Sequence, residues 1–374
     1  MQNFKEQKWL TTGNPGIVFE NSPVGRMKKE IWDASEEEID KILEDYGIPA
    51  PSELGKPGAY IQTTPRAQQI EKRRNNDIVF VPIGCTENHG LHANSGLDTF
   101  QVSMVLEGVR RYTAKQGHEC NLAFPPLLYG GHPYHHIGMP GTVIMPEEVV
   151  KETLIYTMLG LWNDGYRKII FVNNHGHSWM IESAIHEFCK RYQLPGIFRN
   201  VEWHRSVREF FIPVEEHEDS LDTHFVHADE AETSCAQLLF PDMVDMSAAQ
   251  EAWPTSYLFR DQFDTSVESY RRPSRWSEGE GHNAIERRGT PEGVVGNPKL
   301  ASARKAKRPI AATLKYLTLI HDEIRRELPP GTVPPVEMTT LRTAEELAPF
   351  LKEPLSEGWK SVDELPRIGI FERL

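Results

Sequence analysis

Two short runs constrain the fold of this chain more than anything else in it: Ile78–Ile83 (IVFVPI) and Lys168–Val172 (KIIFV). Each is apolar almost without interruption. Neither alternates as a strand with one wet face would, so both read as strands buried on two sides, in a parallel sheet covered by helices. Helical patterns follow them. One helix is expected over Thr99 to Gln116. Another is expected over Glu147 to Asn163, where Pro146 and two glutamates suit a first turn and Leu154, Met158, Leu161 and Trp162 form the inner stripe. After the second strand Ser178 can cap a third helix, with Ile181, Ala184, Ile185 and Phe188 facing inward. The order strand, helix, strand, helix predicts the α/β class, a mainly parallel sheet between two helical layers. In that architecture ligands bind beyond the carboxyl ends of the strands.

The flanks have their own signals. In an N-terminal extension, residues 1–75, Ser35 and Glu38 form a capping box, Ile39, Ile42 and Leu43 a stripe, and Gly47 a stop, which predicts one short helix. Prolines between Tyr46 and Arg66 predict irregular chain, and EKRRNN reads as a solvated helix end. The central unit is expected over 76–325. It includes a polar, loop-like stretch from Pro254 to about Pro298 and closes on a helical pattern through Ala306, Ile310, Leu314, Leu317 and Ile320. A tail, 326–374, carries a Pro-rich linker and two short elements opened by Thr343/Glu346 and Ser361/Glu364.

Composition excludes some functions. With 41 Lys plus Arg against 54 Asp plus Glu, the formal charge of −13 argues against binding to nucleic-acid backbones or to acidic membranes. The start of the sequence lacks a secretory apolar stretch, and the longest apolar-rich segment, Leu154–Trp162, is too short for a bilayer, so a cytoplasmic location is expected. The four cysteines form no CxxC pair and suggest neither disulfides nor a thiolate zinc site; Cys85 reads as a small core residue.

Chemistry concentrates at the strand ends. Glu87, His89, His92 and Asp98 follow the first strand, with Glu87 and His89 on one face of an extended segment and Asp98 at the start of the next helix. Asn173, Asn174, His175 and His177 follow the second strand in the equivalent place. A third group, His227, Asp229, Glu230 and Glu232, precedes another helix. Any one of the 15 histidines would more often be structural than a ligand, but three groups of imidazoles and carboxylates meeting at one sheet edge favour a metal centre for Zn, Mn or Fe. The loop GGHPYHHIGMPGT, with His132, His135, His136, Gly141 and Thr142, reads as a substrate wall; Trp179 and Trp203 suit either a pocket or the core.

These strings resemble the creatininase family of metal-dependent hydrolases. The carrying motifs are Glu87-Asn88-His89-Gly90-Leu91-His92 with Asp98, His136 to Thr142, Asn174-His175, His227 to Ser234, and Gly293 to Pro298. The resemblance implies a three-layer α/β/α sandwich, two divalent ions per chain and a symmetric homo-oligomer, a hexamer. It also implies roles. Glu87 and His175 would hold one ion, His89 the other, Asp98 would bridge them, and His227 would shuttle protons. Where the family has a glutamate, this chain has His177, so either His177 or Glu232 would complete the second position. The leader FENSPVGRMKKEIWD and the variants GCTENHG and NNHGHSW resemble members assigned to inositol breakdown, which hydrolyse the cyclic diketone 3-dehydro-scyllo-inosose. The expected chemistry is attack of metal-activated water on a carbonyl, with His227 returning a proton. A creatinine-type cyclic amidohydrolase and a non-catalytic metal- or sugar-binding protein are the alternatives.

Overall fold

The computed structural model describes residues 8–132, 136–253 and 285–368. The chain opens with a small antiparallel pair, β1 (Trp9–Thr11) and β2 (Val18–Glu20), then helices α1 (Pro23–Asp33), α2 (Glu36–Tyr46) and α3 (Arg66–Asn75). The Ser35 capping box of α2 forms, and Gly47 ends that helix in the left-handed region at φ 66°. Then come β3 (Ile78–Ile83), α4 (Leu97–Lys115), β4 (Asn121–Leu122), α5 (Glu147–Asn163), β5 (Lys168–Asn173), α6 (Ser178–Tyr192) and β6 (Ile197–Glu202). Among the described residues the further α-helices are α7 (Glu230–Leu239), α8 (Glu286–Gly289), α9 (Ala303–Glu327), α10 (Val336–Thr339) and α11 (Ala344–Leu351).

The main sheet has the order β4-β3-β5-β6 and is parallel throughout. Alternation along its central strands sorts side chains between two cores. Ile78, Phe80, Ile170 and Val172 pack with residues of α1, α2, α4, α7 and α9. Val79, Val81, Ile83, Ile169 and Phe171 pack with α5, α6 and the tail residues Leu347, Phe350, Val362 and Leu365. The result is a three-layer α/β/α sandwich in which the N-terminal extension thickens one layer and the tail the other. Lys168, fully buried at the start of β5, donates to both oxygens of Asp77 at 2.7 Å and ties the strand's base to the start of β3. Among the described residues no helix is long and apolar enough to cross a membrane.

Several elements differ from expectation. The extension holds α1 as well as α2. Its buried residues are only Gly25, Ile31 and Trp32, too sparse for a visible stripe, although Ser22 caps it and Pro23 starts it. Strand β6 (IFRNVE) went unpredicted because it is a half-buried edge with Arg199, Asn200 and Glu202 breaking the apolar run. Within the loop-like stretch, 254–284 lies outside the described residues.

Candidate metal centre

All three sequence clusters reach the carboxyl end of the sheet. A side chain at Gly84 would place its Cβ 2.4 Å from the Thr99 nitrogen, so glycine is what lets the start of α4 close on the end of β3. That approach brings Asp98 to the end of β3, where the Cys85 thiol donates to it at 3.0 Å. Just past β5 the Asn174 side chain donates to the Asp98 carbonyl at 3.2 Å, fixing the turn that carries His175. Asp229 caps α7 by accepting from Ala231, Glu232 and Val226. Ala228 takes a φ of 48° and donates its N–H to Glu232 Oε2 at 2.5 Å, which turns His227 and Glu232 toward the same space.

The converging atoms are all buried. His175 Nδ1 lies 2.9 Å from Glu87 Oε2 and 3.1 Å from Asp98 Oδ2. The other Asp98 oxygen, Oδ1, lies 3.4 Å from His89 Nε2, which is also 3.6 Å from Glu232 Oε2. The two oxygens of Asp98 therefore face two different histidines. His89 is oriented by donating Nδ1–H to the Glu87 carbonyl at 3.1 Å, leaving Nε2 without a hydrogen-bond partner. His227 donates Nε2–H to the Asn88 carbonyl at 2.7 Å, and its Nδ1 faces Glu87 Oε2 at 3.8 Å and Glu232 Oε2 at 3.9 Å. His136 Nδ1 lies 3.1 Å from Glu87 Oε1.

Three overlapping groups of ligand atoms gather here, each within 4.8 Å: His89, Asp98 and Glu232; Glu87, His89 and His227; and Cys85, Glu87, His132 and His175. Imidazole and carboxylate, buried and partly without partners, fit a divalent cation. Electrostatics agrees. Burial works against charge on His89, yet the carboxylates of Asp98 and Glu232 outweigh it and hold its pKa at about 10. Burial likewise opposes ionisation of Glu87, and the surrounding histidines overcome it, keeping the carboxyl well below its usual range. Carboxylates this deep require positive charge beside them.

Other expectations need correction. His177 is fully buried, belongs to none of these groups, and has no hydrogen-bond partner at either nitrogen, whereas Glu232 Oε2 lies 3.6 Å from His89 Nε2. Asp229 and Glu230 are engaged in structure: the Glu230 carboxylate accepts from the Asp222 and Thr223 nitrogens and pairs with Lys305. His92, neutral because burial pulls its pKa to about 4, bonds Thr233 at 2.9 Å. Trp203 is 1% exposed and packs edge-on against Phe211, so it is core and not pocket wall. Trp179, by contrast, is 40% exposed at the start of α6. Thr142 accepts from the Asn88 N–H at 3.0 Å and the Pro140 carbonyl from its side chain at 2.7 Å, so the Gly141 turn lies against the site. His135 lies outside the described residues. Two site residues escaped the sequence reading as ligand-side groups: Cys85, whose S–H donates to Asp98 Oδ2 at 3.0 Å, and Glu286, which burial, reinforced by Glu87, pushes up to about 8. For Glu286 no local pattern signals proximity to strand ends 200 residues earlier.

This sandwich and its carboxylate–imidazole centre are those of a metal-dependent hydrolase. The sequence profile of the creatininase family, described as creatinine amidohydrolase, matches residues 62–320, and the chain belongs to that family. The 3-dehydro-scyllo-inosose hydrolase of Thermotoga maritima is 40% identical over 305 residues, covering 82% of this chain and 96% of that protein. A mycofactocin precursor peptide peptidase of Mycolicibacterium smegmatis is 32% identical over 103 residues, 26% of this chain and 39% of that one. Among solved structures, a manganese creatininase has a TM-score of 0.56 at 19% identity, covering 73% of this chain and 99% of its own. A mutant creatininase of zinc–zinc type gives the same values.

Proposed function

We propose that this enzyme hydrolyses 3-dehydro-scyllo-inosose, opening the cyclic diketone between carbons as a step of inositol breakdown in the cytoplasm. The observation that carries the reading is the 40% identity, over 96% of its length, to a protein named for that activity. Two ions per chain, Zn, Mn or Fe, fit the donors: Glu87, Asp98 and His175 for the first, His89, Asp98 and Glu232 for the second. Such ions supply an acidified water and charge stabilisation for an oxyanion.

The chain's own residues handle orientation and protons. His227 is fixed by Asn88 through Nε2–H, so its Nδ1 lone pair faces the centre, where it can take a proton from the attacking water. Water oxygen bonds to the carbonyl carbon, the carbon–carbon bond breaks, and His227 returns the proton to the carbon that leaves with the electron pair. Burial lowers the pKa of His227, which keeps it a neutral base. Glu232 holds the segment that carries His227 through the Ala228 N–H. His136, Gly141, Thr142 and Trp179 form the substrate wall.

A creatinine-type amidohydrolase is the second reading, favoured by the family description and the creatininase-like fold. It shares the centre and differs in the walls. Residues 76–325 are read as the catalytic unit with 1–75 and 326–374 as flanking layers. A homo-oligomer, a hexamer by resemblance, is supported by exposed Leu128, Tyr129, Val143 and Ile144, which Thr86 and the Gly130–Ile144 bridge bring together on one rim. The His227→Ala variant tests the mechanism: it should keep its metal and lose turnover by about 100-fold or more. Unchanged turnover would remove His227 from the reaction.

A further inference from the structure

Glu286 is a buried carboxyl beside the centre that the hydrolytic chemistry does not use. It opens the short helix α8, and the segment after that helix lies along the residues that carry the site. The Val295 N–H donates to the His227 carbonyl at 2.9 Å. A Cβ at Gly293 would sit 1.7 Å from Asn88 Oδ1, and one at Gly90 would sit 2.9 Å from Val294 Cγ2, so glycines let this segment press on the loop after β3. A Cβ at Gly138 would lie 2.9 Å from Arg287 Nη1, so α8 also meets the loop that runs from His136 to Thr142.

Glu286 itself is 4% exposed, and among the described residues its Oε2 has no hydrogen-bond partner. It belongs to none of the ligand-atom groups. Yet the charges it feels are those of the centre: burial pushes its pKa up to about 8, Glu87 adds to that, and His89 and His175 pull the other way. The polar groups of the adjoining loop are spent on one another. Asn88 donates from its backbone N–H to Thr142 Oγ1 and from Nδ2 to the Pro140 carbonyl, while its Oδ1 accepts from Gly90 and its carbonyl from His227. Glu286 keeps an acceptor oxygen uncommitted, and holding it buried and unpaired destabilises the free protein.

An acceptor of this kind is completed by a donor on the substrate, and a site built that way rejects analogues that lack the donor. The ring of 3-dehydro-scyllo-inosose offers carbonyls, which accept, and hydroxyls, which donate. We infer that Glu286 is a specificity-determining residue that accepts a hydrogen bond from a ring hydroxyl of the substrate, so that the site selects a polyhydroxylated ring over one without hydroxyls. The inference rests on the diketone reading and names the group that reads the ring away from its reacting carbonyl.

The test compares metal-replete wild type, Glu286→Gln and Glu286→Leu on the diketone, with scyllo-inosose and cyclohexane-1,3-dione as competitive inhibitors. The first inhibitor carries ring hydroxyls and the second has none. Glu286→Leu should raise the KM for the diketone and the inhibition constant of scyllo-inosose together, each by about 10-fold or more. Glu286→Gln, which keeps an acceptor oxygen, should stay near wild type. Inhibition by the dione and metal content should be the same in all three proteins. Unchanged inhibition of Glu286→Leu by scyllo-inosose, or equal weakening of both inhibitors, would overturn the inference while leaving the diketone reading in place. Loss of metal from either variant would make Glu286 a ligand, and failure of both to fold would make it structural; each outcome equally overturns the inference. Wild type that leaves the diketone intact would overturn the functional reading and this inference together.

Discussion

Replacing His177 by leucine probes the site where sequence and structure part. His177 is fully buried, neither ring nitrogen has a hydrogen-bond partner, and burial drives its pKa far down, so it is a neutral imidazole with a stranded N–H. Leaving such a donor unpaired costs about 1–3 kcal/mol. Leucine has a similar volume, and imperfect fit returns up to about 1.5 kcal/mol of that. The net expectation is a gain of about 1 kcal/mol. With an unfolding entropy of about 2.1 cal/mol/K per residue, the 374 residues give ~0.8 kcal/mol/K, so Tm should rise by about 1 °C. The melt is run after chelator dialysis, because a bound ion would add its own linkage. Metal content after reloading should match wild type. A lost equivalent of metal, or a Tm lower by several degrees, would refute the reasoning and make His177 a ligand after all.

Three further outcomes follow from the same geometry. Asp98→Asn should hold markedly less metal than wild type by elemental analysis, since both carboxylate oxygens face histidines at 3.1 and 3.4 Å; full occupancy would contradict its bridging place. Zinc loading near pH 8 should release protons, measured by calorimetry in buffers of differing ionisation heat. The sign follows from His89, raised to about 10, and His175, also raised: each is protonated without metal. Their contribution to metal-free stability is full below the ordinary histidine pKa of about 6.5 and fades as pH rises toward the folded values. Zinc uptake without proton release would contradict this. Asp77→Ala should cost about 3–5 kcal/mol in denaturant melts, because it strands the buried Lys168 ammonium; a loss under about 1 kcal/mol would mean the lysine finds water.

The sandwich was legible because β3 and β5 are apolar on both faces, a pattern that only covered parallel strands need. Edge strand β6 and helix α1 were not, since each buries too few side chains to leave a period. Glu87, His89 and His175 could be picked out because they follow adjacent strand ends, and Asp98 because it opens the helix that follows the first of them. Spacing leaves His177 and Glu232 both open; what brings Glu232 near His89 is the left-handed turn at Ala228, whose N–H donates to the Glu232 carboxylate, and no spacing announces it. Nor could it separate the acids of the third cluster. Asp229 caps a helix and Glu230 collects backbone donors, and in sequence both look like Glu232.

The central claim is tested most directly by incubating metal-replete protein with 3-dehydro-scyllo-inosose and, separately, with creatinine, while following ring-opened acid and its proton. The account predicts stoichiometric opening of the diketone that stops on chelation and resumes when Zn, Mn or Fe is returned, with creatinine untouched. A metal-replete enzyme that leaves the diketone intact, or that opens creatinine instead, would contradict it.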